Sequence, residues 1–339
     1  MVNNNYVLLT GGNGYIGSHI YVYLKQSGFE PVIVDDLSNS YLSNINQINK
    51  ITGEKAIFYK CNLNNEDYLI KLIEKYDIKN IIHLAAKKSI TESFITPSKY
   101  FNNNILGLIS LLKSIQRNRK INFVFSSSAS VYSPNVKSPI KERNILNPSS
   151  PYGHTKYLCE KILEGYSSKN FRLAILRYFN PAGAHDSGLI GQNEKNKYTN
   201  LISVIDEVAV KRRSFVPVYG KDYATIDGTC LRDYFHILDL AEGHVKALLY
   251  LINNKNGFTV NLGSGIGATT LEIIKKYRKV NKVDIPYKFY KRREGDVDQL
   301  YTSNVEAKKI LGWESKRSLD KICSSSYKWT KSNKLNSSK

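Results

Sequence analysis

The chain has 339 residues, 42% of them hydrophobic, and a net charge of +20. That length and apolar content suit one large α/β domain or one and a half ordinary ones. No apolar run approaches the roughly 18 residues that a membrane-spanning helix needs, which excludes a helical membrane protein. The positive charge does not form a nucleic-acid surface, because the lysines are dispersed and usually sit beside asparagine, as in Asn253-Asn254-Lys255-Asn256. A general Lys/Asn bias, or attraction of an anionic small molecule, accounts for it. Cys61, Cys159, Cys230 and Cys323 are scattered, with no C-x-x-C spacing and no nearby His pair. That argues against zinc and against a disulfide framework. Met1–Asn5 lacks the basic and apolar regions of a signal peptide. The expectation is a soluble, cytoplasmic protein with no metal, nucleic-acid or membrane partner.

In chain order, Tyr6–Thr10 reads as a short apolar strand, and Ile16, Ile20, Tyr23 and Leu24 give a helical stripe ending near Gly28. Further strands fall at Val32–Val34, Ile57–Tyr59, Ile81–Leu84, Phe123–Phe125 and Arg172–Leu176. Helical stretches such as Tyr68–Tyr76 and Tyr100–Gln116 lie between them. Short, doubly buried strands joined by helices imply a parallel, doubly wound α/β sheet with right-handed crossovers. After Asn180 turns and glycines become frequent and the alternation weakens. Residues 1–179 are therefore expected to form a dinucleotide-binding Rossmann domain. Residues 180–330 are expected to form a smaller, intertwined α/β lobe over the carboxyl ends of the strands. The polar segment from Lys328 to Lys339 is expected to fray, with 331–339 as a disordered tail.

Thr10-Gly11-Gly12-Asn13-Gly14-Tyr15-Ile16-Gly17 follows a strand and opens a helix, the context that gives a glycine fingerprint meaning. The glycines allow a tight turn and close backbone approach to a pyrophosphate seated on the helix N-terminus. Asp35, ending the second strand, is placed to accept hydrogen bonds from the adenosine ribose. No arginine lies close by to welcome a 2′-phosphate, so NAD is favoured over NADP. The second cluster, Gly263-Ser264-Gly265-Ile266-Gly267, lacks a following βαβ unit with an acidic residue about 20 positions on, and reads as a loop lining the substrate cleft.

Tyr152 and Lys156 are four apart in a helical stretch and share one face. Tyr-x-x-x-Lys alone reads better as a solvated helix face. Following the glycine turn and the run Ser126-Ser127-Ser128, it reads as a hydride-transfer site. The lysine ammonium favours the phenolate of Tyr152, which takes a proton from a substrate hydroxyl held by Ser128. A Ser–His–Asp hydrolase is excluded by the lack of a G-x-S-x-G elbow.

At these residues the chain resembles the extended short-chain dehydrogenase/reductase family and, within it, the UDP-glucose 4-epimerases, over about residues 5–330. The stretches carrying the resemblance are 11–19, Phe125–Tyr132, Ser150–Lys156, Leu176–His185, Arg232–His236 and Arg292–Asp296. It implies tightly held NAD, recycled within each turnover, and a UDP-sugar oxidised at C4 to a transient keto sugar and then reduced on its other face. For NAD it implies Gly11, Gly14, Tyr15, Ile16, Gly17, Asp35, Asn39, Ser40, Asn62, Leu63, Leu84, Ala85, Lys88, Asn103, Ser126, Tyr152, Lys156 and Tyr178. For the UDP-sugar it implies Ser128, Tyr152, Phe179, Asn180, Asn200, Leu201, Val218, Tyr219, Asp296 and Leu300, with Arg232 and Arg293 clamping the diphosphate. It also implies a homodimer built on the helices Tyr100–Gln116 and that of Tyr152, where Leu108, Ile109, Leu112 and Ile115 exceed the needs of one stripe.

Departures from the family pattern are Asn62 in place of an aspartate reading adenine, Ala86 and Lys87 in place of Gly-Leu, and Tyr198-Thr199-Asn200-Leu201 lacking a proline and a second asparagine. Related 4,6-dehydratases need an Asp-Glu pair where this chain has Ala129 and Ser130. A UDP-N-acetylglucosamine 4-epimerase or a UDP-glucuronate decarboxylase remains open, as does a catalytically silent, RNA-binding relative. Leu300 falls where family members set access for the sugar 2-substituent: a tyrosine excludes N-acetyl groups and a small residue admits them. A one-residue slip would put Tyr301 there instead.

Overall fold

A computed structural model describes residues 5–115, 119–193, 195, 200–254, 256–293 and 296–337, with side chains to Asn333. The main sheet contains β1 (Tyr6–Thr10), β2 (Glu30–Asp35), β3 (Ile57–Lys60), β4 (Asn80–His83), β5 (Ile121–Ser128), β6 (Phe171–Tyr178) and the strand Phe258–Leu262. Their order is Phe258–Leu262, β6, β5, β4, β1, β2, β3, parallel throughout. All six strands read from the sequence are present. The seventh was missed because Phe258-Thr259-Val260-Asn261-Leu262 mixes polar and apolar residues too evenly to stand out.

Alternation along the strands explains the layers. Val7, Leu9, Ile33, Ile82 and Val124 face one side, packing with Ile20 and Leu24 of helix Tyr15–Gln26 and with Leu240, Val245 and Leu248 of helix Ile237–Asn254. Leu8, Val32, Val34, Ile81, Phe123 and Phe125 face the other, packing with Leu69 and Leu72 of helix Glu66–Lys75 and with Cys159 and Leu163 of helix Pro151–Tyr166. The order reverses between β1 and β4, so their carboxyl ends open a crevice. The two lobes intertwine: helix Ile237–Asn254 and strand Phe258–Leu262, although beyond Asn180, lie with the main sheet.

In the second lobe, strand Leu231–His236 pairs with Asn180–Ala182, Gly267–Thr269 and Gln299–Leu300. A parallel pair, Val216–Tyr219 and Tyr287–Tyr290, stands apart.

Two expectations are corrected. The helix expected over Tyr100–Gln116 is instead helix Pro97–Tyr100, a π-helical segment Phe101–Leu106 and helix Gly107–Lys113, with Gln116 outside the described residues. The tail expected to fray is helical through Ser337, because helix Leu319–Ser337 buries Trp329 and Thr330, the former against Gly191. The last two residues lie outside the described range.

Candidate active site

The glycine turn sits at the carboxyl end of β1. Gly11 has φ +70°, and a Cβ there would come 2.8 Å from the Ala85 nitrogen after β4. A Cβ on Gly12 would lie 2.9 Å from the Leu9 oxygen, and one on Gly17 would collide with the Gly11 oxygen. These glycines are therefore obligatory for the turn and for its close approach to β4. Gly14 precedes the first turn of helix Tyr15–Gln26, whose free N–H groups point into the crevice. Ile16 packs into the sheet core, and the Tyr15 hydroxyl donates to the Gly183 oxygen at 2.7 Å, tying this helix to the second lobe.

Asp35 ends β2 with its carboxylate held from three sides, by Asn13 N at 3.1 Å, Leu37 N at 2.9 Å and Ser40 Oγ at 3.0 Å. Burial raises its pKa and these donors oppose the rise. The backbone of Asn39 lies on the same loop, accepting from Lys195 N at 3.4 Å. Lys195 Nζ also donates to the Leu37 oxygen at 2.7 Å, a contact across 158 positions that no local pattern announces. Asn62 donates to Asp36 at 3.3 Å and accepts from Asn64 N at 2.9 Å, leaving one amide-oxygen lone pair for a ligand. Leu63, Leu84 and Ala85 line the strand ends beside it, Leu84 N donating to the Thr10 oxygen at 3.1 Å. Glycine cradle, helix N-terminus and fixed Asp35 together fit NAD.

Lys88 is exposed and Asn103 half-buried in the π segment. Asn104, absent from the sequence reading, is the buried one. It accepts from Lys87 N at 2.8 Å and donates to the Lys87 oxygen at 3.0 Å and to Thr155 Oγ1 at 2.9 Å. It thus fixes the Ala86-Lys87 departure to the helix of Tyr152.

Ser126 and Ser128 end β5, and Tyr152 and Lys156 face them from helix Pro151–Tyr166, whose N-cap Ser150 accepts from Gly153 N at 3.1 Å. Lys156 Nζ donates to the Ser126 oxygen at 2.8 Å and lies 4.9 Å from the Phe125 ring centre. Burial lowers Lys156 to about 8. Burial pushes Tyr152 up to about 12, with Ser128 as the hydrogen-bonding neighbour that opposes it. In the protein alone the Lys156 ammonium is engaged by Ser126, and the lowering expected of Tyr152 calls on the positive nicotinamide as well. Ser128 also accepts from Ser130 N at 3.1 Å. His244 Nδ1 can only donate to the Leu240 oxygen, 2.9 Å away, so Nε2 accepts from Ser126 Oγ at 2.8 Å. Tyr178 lies over His244, ring centres 6.0 Å apart, and burial raises its pKa.

Beneath these groups Glu160, two turns after Tyr152, accepts from Arg177 NH2 at 2.7 Å and from Ser127 Oγ. Both ionic residues are buried. This pair bolts the catalytic helix to β5 and β6.

The second lobe brings Arg232 and Arg293 onto one carboxylate. Asp296 accepts from Arg232 NH2 at 3.3 Å and from Arg293 Nε at 2.9 Å. Arg293 lies 4.9 Å above the Tyr219 ring. Asn180 Nδ2 donates to the Asp233 oxygen at 3.3 Å, and buried Asp233 accepts from Ser264 and Gly265 N, organising the glycine loop 263–267. Phe179 packs with Ala129 and Val131, and Leu300 packs against that cluster. Asn200 is exposed and paired to Gln192 at 2.9 Å, and Leu201 packs into the lobe core. The Val218 side chain is buried in that core, so what it can offer a ligand is its backbone. Tyr198 and Thr199 lie outside the described residues.

The profile of the GDP-mannose 4,6 dehydratase family matches residues 8–326. The UDP-glucose 4-epimerase of Bacillus subtilis is 41% identical over 96% of this chain and 97% of its own length. That of Schizosaccharomyces pombe is 42% identical over 97% and 94%. The chain belongs to the UDP-glucose 4-epimerase family of extended short-chain dehydrogenases. A solved member, the Stenotrophomonas maltophila UDP-glucose-4-epimerase with bound NAD and formylated UDP-arabinopyranose, superposes with TM-score 0.95 at 38% identity, covering 98% of this chain and 99% of that one. The Bifidobacterium longum UDP-glucose 4-epimerase in complex with NAD+ and UDP gives 0.90 at 36% identity, covering 97% and 99%. Within this family the dehydratase positions are decided by residue type: Ala129 is buried and Ser130 half-buried, and neither can carry the acid–base chemistry of an Asp-Glu pair.

Proposed function

We propose that the protein interconverts UDP-glucose and UDP-galactose by epimerisation at C4, with NAD as cofactor. The observation that carries this reading is the convergence of Tyr152, Ser128 and Lys156 at the end of β5 with alanine and serine at the dehydratase positions. NAD, when bound, supplies a hydride acceptor that returns the hydride within the same turnover.

Ser128 holds the sugar 4-hydroxyl and Tyr152 takes its proton at the phenolic oxygen. For that the high pKa of the buried phenol must fall, which positive charge beside it brings about: Lys156 and the oxidised nicotinamide. The buried wall around Tyr152 and Phe179 excludes water while the 4-keto sugar turns over. Tyr152 then returns the proton to the same oxygen. Arg232 and Arg293 hold the diphosphate while the sugar end is free to swing, and Asp296 keeps the two guanidinium groups from drifting apart.

A second substrate is favoured by Leu300. Smaller than tyrosine, it leaves partial room at the 2-substituent, so weak action on UDP-N-acetylgalactosamine accompanies the main activity.

We also assign a homodimer. Leu108 and Leu112 are buried in the subunit's own core, contrary to the surplus expected of them. The free apolar surface comes instead from Leu106 and Leu158, 48% and 38% exposed on the two helical elements concerned. Among the described residues no helix is long and apolar enough to cross a membrane, and the four cysteines are free and buried, in keeping with a reducing compartment.

The test is a coupled assay: NADH formed by added UDP-glucose dehydrogenase when purified protein meets UDP-galactose. NADH growth is expected, drawn only from the NAD+ given to the dehydrogenase, because the epimerisation itself consumes no cofactor. Folded, NAD-containing protein that produced none would remove the assignment.

A further inference from the structure

Ser138 holds the main chain on both sides of Leu300. The Tyr301 N–H donates to Ser138 Oγ at 3.0 Å, and that hydroxyl donates in turn to the Gln299 oxygen at 3.4 Å. Two residues on, the same loop pairs as a strand does. Ile140 N donates to the Tyr301 oxygen at 2.9 Å, Ser303 N donates to the Ile140 oxygen at 2.8 Å, and Ile140 lies parallel to Thr302. In a parallel ladder the next rung back would join a residue's N–H to the Gln299 oxygen and its oxygen to the Tyr301 N–H. The Ser138 hydroxyl fills both places, so one side chain carries the ladder past Leu300. On its other edge Gln299–Leu300 pairs with strand Leu231–His236, with Leu300 in register with Arg232. Leu300 is thus held from two edges.

The frame that carries Ser138 is itself fixed to the catalytic end of the sheet. The Ile140 oxygen also accepts from Asn261 Nδ2 at 3.2 Å, and the Glu142 carboxylate accepts from Asn261 N at 2.7 Å. The Glu142 main-chain oxygen accepts from Arg177 NH1 at 3.0 Å, and Arg177 is the buried partner of Glu160 on the helix of Tyr152. Leu300 packs against the cluster of Ala129, Val131 and Phe179, and Ala129 directly follows Ser128. A sugar reaching from Ser128 to a diphosphate at Arg232 passes this side chain. A wall there resists a larger substituent only as far as its backbone cannot retreat.

We infer that Ser138 is a positioning residue for sugar selectivity: its hydroxyl keeps the Leu300 backbone from yielding, so that the side chain stands in the way of an acetamido group at C2. The inference rests on the functional reading above, in that Leu300 is taken to line the pocket of the sugar's 2-substituent.

The experiment uses the full chain with its bound NAD and compares wild type with Ser138→Ala, Ser138→Thr and Leu300→Ser. Each receives UDP-galactose and UDP-N-acetylgalactosamine separately, and the epimers are separated by chromatography. The ratio of the two kcat/KM values is the readout, with thermal unfolding alongside. Ser138→Ala should raise the acetamido share by roughly three- to tenfold, the scale of an ordinary hydrogen bond. Ser138→Thr keeps the hydroxyl and should stay with wild type. An unchanged ratio in Ser138→Ala, while Leu300→Ser raised it, would overturn the inference and leave the reading of Leu300 standing. Equal shifts in Ser138→Ala and Ser138→Thr would also overturn it, since they mark packing at this position rather than the hydroxyl. A Ser138→Ala protein that no longer folded would do the same. If none of the three variants moved the ratio, Leu300 would not line the sugar, and the inference would fall with that reading.

Discussion

Lys156 spends a hydrogen bond on the main-chain oxygen of Ser126, 2.8 Å away, so the lysine that serves Tyr152 also fixes the strand that presents Ser128. The base, cation and hydroxyl holder proposed above would thereby be one mechanical unit. Tyr152→Phe leaves that unit intact and should lower turnover by on the order of 10²–10⁴-fold while UDP-sugar binding stays near wild type. Lys156→Met should match the loss in turnover and also release NAD more readily. Steady-state kinetics with NAD content measured on the same samples decides it, and near-normal turnover of Tyr152→Phe would exclude the proton-transfer part given to it.

Glu160→Ala strands the Arg177 guanidinium in the interior. Breaking a buried pair of this kind costs about 3–5 kcal/mol, so the urea midpoint should drop sharply. An unshifted midpoint would show that β5, β6 and the catalytic helix are held by packing alone.

The sugar preference proposed for Leu300 can be read directly. Leu300→Tyr should abolish action on UDP-N-acetylgalactosamine and Leu300→Ser should raise it, with overlap in the wild-type pocket worth about 1–3 kcal/mol. If neither substitution moved the ratio of the two activities, another side chain would be lining that wall.

Acid should unfold the protein early. His19, His83 and His236 are held at about 3 and His244 at about 4, chiefly by burial, against an ordinary 6.5. The unfolded chain binds these protons first, so stability present above pH 6.5 is lost as pH falls toward about 4. Asp206, raised to about 6 by burial, acts the other way, gaining stability as it protonates, and Asp35, Glu142 and Asp233, also raised by burial, act with it and offset part of the histidine loss. Denaturant unfolding at pH 7.5, 6 and 5 should show a loss on the order of several kcal/mol; a flat or rising profile would contradict it.

Light scattering should give a mass about twice 38.5 kDa, and Leu158→Glu should shift it to the monomer. A wild-type protein that ran as monomer at micromolar concentration would end the dimer assignment.

What the sequence displayed plainly was local. Strands β1 to β6, the glycine turn and the Tyr152/Lys156 spacing each lie within a few neighbouring residues, where period and turn chemistry are visible. What it hid was contact across long separations. Ser126 meets His244 across 118 positions, and Lys195 meets Leu37 across 158. The Arg177–Glu160 pair is close in sequence, yet nothing in an Arg on a strand or a Glu on a helix says that both are buried. That the Val218 side chain turns into the second lobe's core was hidden for the same reason: a valine in a site-bearing stretch gives no sign of which way its strand turns it.

The π-helical stretch Phe101–Leu106 holds one residue more than an α-helix of equal span would. That surplus sets the angular phase at which everything downstream leaves the helix. Deleting a single asparagine from Asn102-Asn103-Asn104 would let the segment close to regular α pitch, moving the residues inside it while both flanks keep their faces. The amide now gripping Lys87 would swing off target while the apolar residues around Leu108 kept their seat. A one-residue length change, ordinarily ruinous inside a helix, would here act as a dial on the Ala86-Lys87 corner of the crevice, separable from the folding of the subunit.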